Sequence, residues 1–132
     1  MMFGMELQMT KRELMDICAR ISAISPYIRF VGIINSDGKL LAYQRRTGLR
    51  PLLDAEGTRN QFAHIAIKKQ MESEFDRRLG AVEFVWEERK KVQTISFTIK
   101  RNRVWVSIDK KVVRSEILRI IDSCLPIVRS HS

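Results

Sequence analysis

The hydrophobic positions of this chain change period several times, and each change marks an element. Leu14, Ile17, Cys18, Ile21 and Ile24 recur at helical spacing and form one stripe. Ahead of them Thr10-Lys11-Arg12-Glu13 is a capping box, in which the Thr hydroxyl and the Glu carboxylate satisfy amides of the first turn. Pro26 closes that helix. Tyr27 to Ile34 is β-branched and aromatic and apolar on both faces for most of its length, which predicts a central strand. Asn35-Ser36-Asp37-Gly38-Lys39 is a tight turn whose Asp-Gly pair accepts positive φ, so Leu40 to Gln44 returns antiparallel.

Arg45 to Gly57 reads as an irregular connection punctuated by Gly48, Pro51 and Gly57, long for a compact domain and of the kind that often carries function. A second helix is predicted from about Thr58 to Leu79, with Ala63, Ile67, Met71 and Phe75 at four-residue intervals. Phe62, Ile65 and Ala66 widen its stripe at the start, which predicts a well-buried first half. Arg77 and Arg78 before Gly80 suit a helix C-terminus. Three strands follow, Val82 to Glu87, Val92 to Ile99 and Val104 to Ile108, joined by the cationic turns Arg89-Lys90-Lys91 and Lys100-Arg101-Asn102-Arg103. Val113, Ile117, Ile121, Cys124 and Val128 then mark a closing helix, which Pro126 is expected to kink or stop.

At 132 residues the chain is expected to form one domain over residues 10–132. Residues 1–9 precede it as a loose arm, an extra helical turn or an oily docking arm. That stretch has no basic n-region and no long apolar segment, so it is not read as a secretory signal. No apolar run approaches the ~20 residues a membrane-spanning helix needs. Cys18 and Cys124 lack metal-ligand spacing, and each falls on a helical apolar stripe as core filling, which together with the missing signal favours a reducing cytoplasm. The 24 Lys and Arg against 15 Asp and Glu give a net charge of +9, which favours acidic partners and says nothing of fold.

The element order helix–β–β–helix–β–β–β–helix resembles the roadblock/LC7 family over residues ~10–128 and is close in plan to longin and profilin folds. Ile28 to Lys39, Pro51-Leu52-Leu53 and Leu79-Gly80 also resemble a family of short thaumarchaeal proteins, which implies an archaeal cytoplasmic protein and brings no activity or site. The roadblock resemblance implies an α+β sandwich with a five-stranded antiparallel sheet in order 2-1-5-4-3, the first and last helices on one face and the second on the other. It further implies dimers made through the second helix and the third strand, and partners that include small GTPases. It supplies no catalytic residue.

Given that strand order, Arg89, Lys90 and Lys91 share one end of the sheet with Arg45, Arg46 and Arg50, a basic rim for an acidic protein or for the phosphates of a nucleic acid. The plainer reading is solvated charge that keeps sheet edges from aggregating. Phe62, Met71 and Phe75 on the second helix, with Val85 and Trp86 on an outer strand, are the candidate surface for a homodimer, although core packing accounts for any one of them. His64 and His131 have no ligand partner at helical spacing, so no metal is expected. No Walker loop, nucleophile elbow or paired acid and base is present. The expectation is a non-catalytic interaction module without a cofactor. Nucleic-acid binding by the rim is the first alternative. Small-molecule sensing between sheet and helix, near Gly48 to Gly57, is the second.

Overall fold

The computed structural model describes residues 8–131. The expected capping box forms, with Glu13 N–H donating to Thr10 Oγ1 and Thr10 N–H to Glu13 Oε1, both at 3.1 Å, and it opens helix α1, Lys11–Ser22. Strands β1 (Ile28–Ile34) and β2 (Leu40–Arg45) form the hairpin, and Gly38 in its turn takes φ +82°. Helix α2 runs Ala55–Ser73 and the four-residue α3 Asp76–Leu79. Strands β3 (Phe84–Glu88), β4 (Val92–Ile99) and β5 (Asn102–Asp109) form the meander, and α4 (Arg114–Arg129) closes the chain. The loose or docking arm expected over residues 1–9 falls mostly outside the described residues.

The five strands pair antiparallel in the order β2-β1-β5-β4-β3, as the roadblock resemblance implies. The main core lies between one sheet face and the layer of α1 and α4. Ile17, Ile21, Ile117 and Ile121 pack there on Val31, Ile33, Ile95, Val104 and Val106, all at most 1% exposed. Burying one such side chain contributes about 1.5–3 kcal/mol. α2 covers the other face.

Several boundaries differ from the sequence reading: β3 starts at Phe84 and not Val82, and β5 takes in Asn102 and Arg103, read as part of a cationic turn, because they pair with Ile99 and Thr98 of β4. α2 starts three residues early because the Asp54 carboxylate accepts from Gly57 N–H at 2.7 Å and caps the helix, so Gly57 lies inside it. The single helix expected to Leu79 breaks after Ser73. There the Ser73 hydroxyl donates to the Gln70 carbonyl at 2.6 Å, and the next two amides bond three residues back and tighten the turn. Pro126 does not stop α4, which continues to Arg129. A proline this near the helix end removes one helical hydrogen bond within a turn of the point where the helix stops.

A β-bulge in β1 matters for the site. Ile28 faces Ile108 and Phe30 faces Ser107, so Arg29 is the extra residue. The bulge changes the face of the strand. Ile28 joins the main core, whereas Phe30 packs under α2.

Candidate functional site

The sheet face under α2 is more polar than its reverse. Thr94, Ser96, Arg103 and Ser107 are buried there. α2 is held to it in two ways. Its first half inserts Phe62 into an aromatic cluster, with ring centroids 6.3 Å from Phe30 and 6.1 Å from Trp105. Such pairs add about 0.5–1.5 kcal/mol each beyond burial. Its second half is held by ions. Glu72 accepts from the buried Arg103, which also donates to Thr98 Oγ1 at 2.9 Å, and Lys68 Nζ lies 2.9 Å from Glu87 Oε2. The hydrogen bond from Lys68 is the main cause holding the Glu87 carboxyl below its usual range.

Only Phe62 and Ala66 of α2 are buried. Ile67 and Met71 point away from the sheet at 54% and 61% exposure, and Phe75 and Leu79 continue the exposed run past the end of α2 at 60% and 82%. Phe62, placed by its sequence on a partner-facing surface, is instead 5% exposed within its own chain. Trp86 packs on the main core and donates Nε1–H to Gln93 Oε1 at 3.1 Å. Val85 is half-buried on the opposite face of the same strand, near Ile65. Of the five residues suggested for a homodimer surface, Met71 and Phe75 are therefore brought together in the open. β3 itself is an edge strand.

The registers place the turn at residues 89–91 and the end of β2 at one end of the sheet. The rim cations then part company. Arg45 lies over the Phe30 ring, 5.3 Å from its centroid, and Arg89 makes a long 3.9 Å approach to Glu87 Oε1. Lys90, Lys91 and Arg50 are exposed. Arg46 turns inward, donating to Asp109 Oδ2 at 2.9 Å and to the Pro26 carbonyl at 3.0 Å. Arg29, extruded by the bulge, donates to the same carboxylate at 3.3 Å and to the Arg50 carbonyl at 3.3 Å. Burial pushes the Asp109 carboxyl up, but the hydrogen bonds from Arg46 and Arg29 outweigh it, and its pKa falls below the ordinary value. The sequence reading missed Arg29 and Asp109. The available signal was that Arg29 is the one charge in an otherwise apolar strand.

Between the aromatic cluster and the connection from Leu49 to Leu53 lies a cleft of about 220 Å³. Phe30, Phe62 and Trp105 form its floor and Pro51, Leu52 and Leu53 a wall. Arg29, Arg45 and Arg89 also line it, and no described acidic residue does.

Cys18 and Cys124 are buried in the main core, and burial pushes both thiols up to about 12, which leaves them unreactive at neutral pH. Among the described residues no cluster of three His, Cys, Asp or Glu is placed to hold a metal ion. No described helix is long and apolar enough to cross a membrane.

No protein-family model matches the sequence, and no curated protein matches it. Solved structures do match the fold. A roadblock/LC7 domain from Streptomyces avermitilis superposes with a TM-score of 0.65 at 13% identity, over 89% of this chain and 92% of that one. An MglB chain described with a tetrameric arrangement gives 0.64 at 10% identity, over 96% of each chain. A Schizosaccharomyces pombe profilin gives 0.58 at 11% identity, over 89% of this chain and 97% of its own. The chain thus has the roadblock fold, with the profilin fold as a more distant likeness. At such identities the likeness is one of fold alone.

Proposed function

We propose that this chain is a non-catalytic interaction module that works as a homodimer. Its two copies meet across the exposed apolar run of α2 and α3 beside the edge strand β3, and the dimer presents a basic sheet end to an acidic protein. The observation that carries this reading is the run of Ile67 and Met71 on α2 with Phe75 and Leu79 at the start and end of α3, each more than half exposed, beside a helix whose sheet-facing side is already satisfied. Contiguous apolar surface of that kind marks an interaction site, and Met and aromatic side chains are enriched at such sites. Two further features support it. The edge strand offers unpaired backbone groups to a second strand, and an MglB chain of the same fold is described in a tetrameric arrangement.

The basic end fits an acidic partner, because Lys90, Lys91 and Arg50 stand exposed in a chain of net charge +9. A small GTPase is the partner class implied by the roadblock resemblance. A reducing compartment such as the cytoplasm suits the two buried free thiols.

Light scattering of the full chain tests the pairing. Twice the 15.4 kDa of one chain is expected for the native protein. Phe75→Glu is expected to return it to one chain with an unchanged circular dichroism spectrum, since Phe75 is exposed and contributes little to its own core. A native protein that stays at the mass of one chain overturns the reading.

A further inference from the structure

We infer that the cleft between the sheet and the first turns of α2 is a binding site for a small amphipathic anion, a compact aromatic carboxylate. The cleft lies under the start of α2, and the inference does not depend on the chain being a dimer. Its floor is aromatic, with the Phe30 and Trp105 ring centroids 5.9 Å apart. Leu52 and Leu53 form a wall and remain 55% and 43% exposed, so the connection bearing them offers apolar surface that its own chain leaves open. An apolar ring set between these surfaces replaces water on both sides.

The charge of the lining selects the ligand's sign. Arg29, Arg45 and Arg89 line the cleft with no described carboxylate among them. Arg29 shares the single Asp109 carboxylate with Arg46, so two guanidinium groups face one acid and positive charge remains. Arg45 lies over the Phe30 ring that floors the cleft, which holds its charge at the lining. Arg89 approaches from the turn between β3 and β4 and, among the described residues, is paired only through the 3.9 Å approach to Glu87. An arginine fork recognises a carboxylate with paired, charge-assisted hydrogen bonds. At about 220 Å³ the cleft suits one or two rings and is too confined for a tract of nucleotides.

Titration of the full chain with naphthylacetate and phenylbutyrate, against neutral naphthylacetamide, tests this. Calorimetry and the indole N–H resonance of Trp105 are the readouts. One acid per chain is expected, bound about tenfold more tightly than the amide, with Trp105 shifted and Trp86 unchanged. Arg45→Gln with Arg89→Gln is expected to abolish that preference, and Leu52→Asp to weaken acids and amide alike, the acids more because it also adds a like charge. All three positions are exposed, so circular dichroism verifies folding. Lys11→Gln with Arg12→Gln, on α1, removes the same charge elsewhere and is expected to change nothing. Equal affinity for acid and amide overturns the inference. So does the absence of saturable binding by either acid at about 1 mM, or displacement of the bound acid by single-stranded RNA through the same arginines.

Discussion

Arg103 at the start of β5 and Glu72 in the last turns of α2 form an ion pair across the sheet–helix boundary, and the Arg103 side chain is only 3% exposed. Thr98 takes a second guanidinium N–H, so the charge is compensated on both sides. The pair fastens the end of α2 beyond Ala66, its last buried apolar residue, and it thereby helps fix which side of the helix looks outward.

Removing one partner leaves a buried, uncompensated charge. Glu72→Ala is expected to lower stability by about 3–5 kcal/mol in urea unfolding. Replacing both, with Glu72→Met and Arg103→Met, is expected to recover most of that loss, because two apolar chains of similar volume need no partner. A single substitution that changes stability by less than about 1 kcal/mol would show that this pair does not hold α2 to the sheet.

Gly38 links the β1–β2 turn to α2. Its φ is +82°, and an added Cβ would stand 3.0 Å from the Ala63 Cα. Gly48 has a similar φ of +75° with nothing within 4 Å. Both Gly→Ala changes carry left-handed strain of about 1–2 kcal/mol, but only Gly38→Ala must also displace the helix. Gly38→Ala is therefore expected to be the more destabilising in thermal unfolding, and an equal effect would remove the proposed packing role of the turn.

Asp109 sets an acid limit on stability. Its folded pKa lies below the unfolded value of about 3.9, because the bonds from Arg46 and Arg29 outweigh burial. The unfolded chain binds the proton more readily. The contribution of Asp109 is therefore complete above the unfolded pKa and is lost as pH falls through the folded one. Asp109→Asn is expected to lower stability at neutral pH and to flatten its fall on acidification. An unchanged acid limb would mean that other carboxylates control it.

The elements themselves were legible because alternation, the Asp-Gly turn and the capping box each act over a few residues, whereas the order of the strands came from the roadblock resemblance and not from any local signal. What failed to show was which side of α2 faces inward. Its apolar residues occupy both sides, Phe62 and Ala66 toward the sheet and Ile67 and Met71 away from it, so the periodicity that identifies a stripe has no single direction. The four-residue series from Ala63 to Phe75 is the exposed one. The rim was half legible. Arg45 and Arg89 do meet at one cleft, but the inward turn of Arg46 depends on the Asp109 carboxylate, 63 residues away in sequence. The bulge at Arg29 left no local mark except a charge inside an apolar strand.

The central claim is that a second copy covers the outer side of α2, and methionine oxidation tests it within one molecule. Met71 on α2 and Met15 on α1 are 61% and 50% exposed in a single chain. In dilute peroxide, followed by mass spectrometry, pairing predicts that Met71 oxidises markedly more slowly than Met15 in the native protein and at a matching rate in Phe75→Glu. A native Met71 that oxidises as fast as Met15, at a concentration well above that used for light scattering, would contradict it.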